Sequence, residues 1–167
     1  MELDYLLELI TRFINRLNET LKLDENDQNK KDAILLSDEI IINFSIKMIK
    51  TSIFDKRVQG IKKLNEYIKD NKDKENTMKA VIDLIKKSEI IKEIFGANYH
   101  SQIISKSDKL LALLLKNNEI KEDDIKLIWD CTQRGDLEAK TTIMKLLSDL
   151  AGDLNENFIN ILLQNII

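Results

Sequence analysis

The chain has 167 residues, 43% hydrophobic and 33% charged, long enough for one domain with its own core and too apolar for a disordered segment. Its 26 basic and 29 acidic residues leave a formal net charge of −3, without the basic excess of a nucleic-acid binder. There is no proline and there are only 4 glycines, too few turn residues for a sandwich, a barrel or a Rossmann unit, so the composition predicts an all-α protein.

Leu3, Leu6, Leu7, Ile10, Ile14, Leu17 and Leu21 recur at three- and four-residue intervals and predict an amphipathic helix of about five turns. Asp24 to Asp32 contains no apolar residue, which predicts a solvated, flexible loop over 24–33. The next segment carries two patterns. Ile40, Ile42, Phe44, Ile46 and Met48 alternate as in a strand, whereas Ile41, Ser45, Met48 and Ile49 fit a helical stripe. A lone strand has nothing to pair with here. Ser37, followed by Asp38 and Glu39, has the form of an N-cap, so a buried helix is predicted over 37–51.

Phe54, Val58, Ile61, Leu64 and Ile68 form the next stripe, ending in the polar run 69–74. Met78, Val81, Ile82 and Ile85 mark a short helix. Ser88 is placed to cap another, with Ile91, Ile94 and Phe95 inside it and Gly96 at its C-terminal end. Ile103, Ser107, Leu110, Leu111 and Leu114 predict one long helix, stopped near Asn117 and Asn118. Ile125, Ile128 and Trp129 mark the next, stopped by Gly135. Ala139, Ile143, Leu146, Leu147 and Leu150 follow, stopped by Gly152. Asn155 is placed to cap a last helix with Phe158, Ile159, Leu162 and Ile166.

The pattern amounts to about nine helices with short polar turns, in antiparallel pairs of about 40 residues, the rhythm of HEAT and armadillo-like repeats. The alternative is a compact bundle. The run Leu110 to Leu115 is apolar almost all round, as in a helix held between neighbouring repeats, and this favours a right-handed solenoid of helix pairs forming a single domain over 1–167.

No candidate chemistry outweighs a structural reading. Cys131 and His100 suggest thiol catalysis, yet Cys131 falls inside a helix beside the apolar stripe and reads as a small buried residue. His100 reads as a flank or cap of the helix beginning near Ser101. Glu122, Asp123 and Asp124 lie in a first helical turn, where the dipole favours acids, with no glycine-centred calcium loop. Lys62 with Lys63, and Lys86 with Lys87, read as solvated faces. Trp129 shares a face with Ile125 and Ile128 and reads as core, a groove-lining aromatic being the sharper alternative. One cysteine and one histidine allow neither an internal disulfide nor a usual zinc site. No catalytic, cofactor-binding or metal-binding residue is therefore assigned. Without a membrane-spanning stretch or a secretory leader, an intracellular, cytoplasmic protein is expected.

Some phrases are more specific than periodicity. Phe54-Asp55-Lys56-Arg57-Val58-Gln59-Gly60-Ile61-Lys62-Lys63-Leu64 is one; Ile94-Phe95-Gly96-Ala97-Asn98-Tyr99-His100, running on to Ser107-Asp108-Lys109-Leu110-Leu111, is another. A third is Ile125-Lys126-Leu127-Ile128-Trp129-Asp130-Cys131, followed by Ala139-Lys140 and the helix to Leu150. Together, over roughly 53–153, the chain resembles the helical-repeat (armadillo/HEAT-like) region of the very large ubiquitin-specific proteases. The Gly-Asn-Thr-Cys core of that family's catalytic cysteine box is absent, as is its histidine box. The resemblance thus implies a non-catalytic interaction scaffold, inactive alone, within a parent ubiquitin-specific thiol protease. It implies protein partners, among them a ubiquitinated substrate or the parent's own catalytic domain, and no nucleic acid, membrane or cofactor. A HEAT or armadillo adaptor unrelated to ubiquitin is the alternative. The apolar finish, Ile161-Leu162-Leu163-Gln164-Asn165-Ile166-Ile167, has two readings. Either the array continues beyond 167 and the exposed end drives self-association, or these residues fold back onto the preceding helix.

Overall fold

The computed structural model describes residues 28–154 and 156–166, together with 5, 8, 9, 11–13, 15, 16 and 19. The expected stripe Leu3 to Leu21, residues 24–27 of the expected loop, and the Asn155 cap lie outside the described residues. The rest is helical, and no strand occurs among the described residues. The chain divides into two units, one through Phe44 and one from Ser45 onward.

In the first unit, the described positions from Tyr5 to Glu19 are helical, and Arg12 reaches back to Glu8 at 2.6 Å. Helix α1 is Gln28–Ile49. It begins well before the predicted start at Ser37, so 28–33 is helix and not loop. Lacking apolar residues excludes burial but not helicity. Gln28 donates to Asp32 at 2.7 Å, an i,i+4 bond that supports a solvated turn. Ser37 is accordingly a buried residue inside the helix and caps nothing. The alternating segment is helical as predicted. Ile42, Ser45, Ile46, Met48 and Ile49 are all buried, which gives this stretch two covered sides.

The second unit is a ladder of helix pairs. The first helices are α2 (Phe54–Asn71), then α5 (Ser101–Ser105) with α6 (Asp108–Lys116), then α8 (Leu137–Asp149). The second helices are α3 (Glu75–Ser88) with α4 (Ile90–Phe95), then α7 (Glu122–Arg134), then α9 (Glu156–Ile166). First helices stack on first helices, α2 against α5 and α6, and α5 against α8; second helices stack on second helices, α4 against α7 and α7 against α9. This is the repeat rhythm expected from the spacing. It exists because each pair has one apolar stripe on either side to cover. Ile61, Leu64, Ile94, Phe95, Ile103, Ile104, Leu110 and Ile143 are fully buried along it.

Local chemistry sets the ends. Asp136 accepts from the Ala139 N–H at 2.8 Å and opens α8, and the Lys121 N–H donates to Asp124 at 3.1 Å at the start of α7. Gly135 closes α7, as predicted. Gly96 closes α4 in a conformation that would drive a Cβ into the Lys92 carbonyl oxygen. Two junctions differ from expectation. Ser88 does not cap α4. It is the last residue of α3, its hydroxyl donating to the Ile85 carbonyl at 2.6 Å, and Glu89 makes the corner with φ 52°.

The predicted long helix over 103–114 is broken at Lys106 and Ser107. The buried Ser107 hydroxyl donates to the Ile104 carbonyl at 2.7 Å, and the Lys106 and Ser107 amides bond only three residues back. The Lys106 carbonyl, freed from the helical ladder, accepts from the Asn65 side chain of α2. Phe158 and Ile161 are buried, while Ile159 and Leu163 are about half exposed; the side chain of Ile166 is outside the described residues.

Candidate functional site

Cys131 is wholly buried on α7, and burial pushes its pKa up, with Arg134 opposing the shift. A nucleophilic thiol needs the reverse, a lowered pKa and a base in reach. His100 is exposed at the start of α5. Its Nδ1 accepts from the Gln102 N–H at 3.2 Å, which makes it the cap the sequence predicted, and its ring lies 4.2 Å from that of Phe54. The acids of α7 are engaged locally: Asp124 with the Lys121 amide, and Glu122 with Lys126 at 2.7 Å.

Trp129 is half-buried, whereas Ile125 and Ile128 beside it are fully buried. It therefore lies at the edge of the buried face rather than within the core. Lys62 and Lys87 are exposed as predicted, but Lys86 reaches from α3 to Glu119 at 2.5 Å, and that hydrogen bond raises its pKa.

Two arrangements were not legible in the sequence. The first is Arg57, one turn into α2 and 8% exposed. Its guanidinium donates to three backbone carbonyls: Ile49 at 3.1 Å, Asn98 at 2.7 Å and Glu93 at 2.8 Å. It thereby ties the end of α1, the body of α4 and the loop before α5 to α2. Burial lowers its pKa and the Glu93 carboxylate partly restores it. From so high a starting value the group keeps its charge. Gly60 on the same helix allows the close approach this requires. A Cβ there would lie 2.7 Å from the Ser45 carbonyl oxygen and 2.8 Å from the Met48 Cβ.

The second is an open groove of about 600 Å³ between the end of α2, the start of α3 and one face of α6. Its floor is aliphatic, made by Ile68, Met78, Ala112 and Leu113. Lys109, Ala112, Leu113 and Lys116 stand at i, i+3, i+4 and i+7, so one face of α6 presents two apolar residues between two lysines. Lys69, Lys72 and Lys79 complete the rim, with Asp73 and Glu75 as its acids. The all-round apolar character of 110–115 thus serves two surfaces. Leu110, Leu111, Leu114 and Leu115 are buried, and Ala112 and Leu113 line the groove. The polar run 69–74 carries no mark of this groove, and the seven-residue spacing of Lys109 and Lys116 is the available signal.

Stacked antiparallel helix pairs define an armadillo-type repeat segment. The chain belongs to the UBP24/USP9X/USP9Y ARM repeat family, whose description matches residues 36–167. It is also similar to the ubiquitin carboxyl-terminal hydrolase puf of Drosophila melanogaster, 34% identical over 74 residues, which cover 44% of this chain and 2% of that protein. The chain thus spans a small fraction of that relative's length. No solved structure matches it. The resemblance to the helical-repeat region of the large ubiquitin-specific proteases holds in both comparisons. Among the described residues, no helix is long and apolar enough to cross a membrane.

Proposed function

We propose that the chain is a non-catalytic interaction scaffold within a large deubiquitinating cysteine protease, binding protein partners across neighbouring helix pairs. The observation that carries this reading is the family match over 36–167, an ARM repeat and not a protease domain. The setting of Cys131 supports it, since a buried thiol with a raised pKa is a poor nucleophile. Stacked repeats supply extended faces whose side chains are free to vary without disturbing the core, which suits recognition of a ubiquitinated substrate or of the protease's own catalytic domain.

The test has two arms. The 167-residue chain is incubated with an electrophilic ubiquitin probe and a fluorogenic ubiquitin substrate, and neither labelling nor turnover is expected. Deleting the same segment from the parent protease is expected to leave hydrolysis of the small substrate intact and to remove a subset of the proteins that co-purify with it. Turnover by the chain itself, abolished in Cys131→Ser, would overturn the reading; so would a parent whose bound proteins are unchanged by the deletion.

A further inference from the structure

We infer that the groove between α2, α3 and α6 binds an acidic peptide segment that carries large apolar side chains. The inference rests on the scaffold reading and names the chemistry of one partner. Its ground is the contrast between this groove and the rest of the molecule. The whole chain is net acidic at −3, yet five lysines stand around this one depression against two carboxylates. One of those carboxylates, Glu75, is held by Lys79 at 2.7 Å. Lys116 is 3.7 Å from Asp153, outside the groove. Among the described residues, Lys69, Lys72 and Lys109 make no ion pair, so the rim keeps a net positive charge with Asp73 counted against them.

The floor decides between classes of anion. Ile68, Met78, Ala112 and Leu113 offer an apolar bed with an adaptable methionine, which suits leucine- or phenylalanine-sized anchors. It contains no aromatic face on which a nucleobase could stack, so a single strand of nucleic acid would gain only the rim charge. A bilayer is met by protruding apolar side chains, and here the apolar atoms lie at the bottom of a concavity. A peptide chain is narrow enough to lie between the lysines of α6 and those of α2 and α3. It can place carboxylates at both edges and apolar groups in the middle. A volume of about 600 Å³ accommodates a few side chains.

The experiment uses the full chain and a fluorescein-labelled dodecapeptide of glutamates interrupted by two leucines, read by fluorescence anisotropy. Saturable binding is expected that weakens with salt. Lys109→Glu with Lys116→Glu should weaken it by about tenfold, as reversal of paired rim charges does at steered interfaces. Lys62→Glu with Lys140→Glu, exposed lysines outside the groove, should leave it unchanged. Exchanging the two leucines for serine should also weaken binding, and so should Leu113→Ser, each at unchanged circular dichroism. Equal loss in both lysine pairs, or indifference to the leucines, would reduce the effect to bulk electrostatics and overturn the proposal. Tighter binding of an oligothymidylate or of phosphatidylserine vesicles than of the peptide would overturn it too. Neither result touches the scaffold reading, which falls on ubiquitin turnover by the chain itself or on a deletion that leaves the parent's bound proteins unchanged.

Discussion

Arg57 donates through Nη1 to the backbone carbonyl of Asn98 at 2.7 Å, across 41 positions of sequence. Its two other bonds, to Ile49 and Glu93, make one side chain the donor for the end of α1, the body of α4 and the loop before α5. Replacing it leaves three carbonyls without this donor in a largely buried setting. Arg57→Ala is expected to lower stability by about 3 kcal/mol. Arg57→Lys should recover little, since an ammonium lacks the planar fork that serves three acceptors at once. Urea unfolding followed by circular dichroism measures both. A loss below about 1 kcal/mol for the alanine variant would show that water replaces the guanidinium without cost.

Gly60 and Gly152 form an internal control. A Cβ at Gly60 meets the Ser45 carbonyl oxygen, Met48 and Ile49, all within 3 Å, whereas one at Gly152 meets nothing within 4 Å. Overpacking costs about 1–3 kcal/mol and offsets the helix-propensity gain of about 1 kcal/mol that alanine brings. Thermal melts should therefore rank Gly60→Val below Gly60→Ala, and Gly60→Ala below wild type. Gly152→Ala should be neutral or slightly stabilising. A Gly60→Val protein that melts with wild type would refute the tight crossing.

Cys131 links stability to pH. Burial raises its pKa above the ordinary value of 9.0, so the thiol ionises first in the unfolded chain. The unfolded state then releases a proton that the folded state retains, and stability falls as pH rises. The contribution is whole below about 9 and disappears as pH climbs toward the raised folded value. Denaturation at pH 7 and pH 10 should show a smaller difference for Cys131→Ala than for wild type. Ellman's reagent should react with the folded protein no faster than the chain unfolds. Immediate, stoichiometric reaction of the native protein would mean the thiol is open.

Trp129 is the chain's single tryptophan, so its fluorescence reports one place. Half-burial predicts partial quenching by acrylamide, between a core and a free indole. It also predicts that Trp129→Ala costs about 2 kcal/mol, less than the ~3–5 kcal/mol of a core aromatic. Quenching as efficient as that of free tryptophan would place the ring outside the fold.

Ile159 and Leu163 stand one turn apart on α9, both about half exposed. Self-association through this patch is expected to appear in sedimentation velocity as concentration rises, and Ile159→Lys with Leu163→Lys should suppress it. A chain that stays monomeric at millimolar concentration would dismiss the patch as a contact.

Periodicity reads well where a helix has one buried stripe. Ile61, Leu64 and Ile68 mark α2 correctly, and Ile125 and Ile128 mark α7, because spacing alone determines which side is covered. It reads poorly where the deciding partner is remote. Nothing near Ser107 announces that Asn65, on another helix, supplies a donor to the Lys106 carbonyl and so makes a break tolerable. Arg57 is invisible for a related reason: its acceptors are backbone carbonyls, which every residue carries and no composition records. The polar start of α1 misleads in the opposite direction, since Gln28 to Asp32 resembles a loop only if helices are assumed to need a buried side.

The break between α5 and α6 has a mechanical consequence. A continuous rod through 101–116 would follow a single axis and meet both of its neighbours at one compromise angle. As two short rods, α5 lies against α2 and α8, and α6 lies against α2 and the short 3₁₀ turn at Ala151–Asp153. The middle pair therefore meets the last along two separate axes, α5 against α8 and α6 against the 3₁₀ turn, while both short rods rest on α2. Ser107 and Asn65 form the joint, and a change at either would redirect the later repeats without altering a single residue in them.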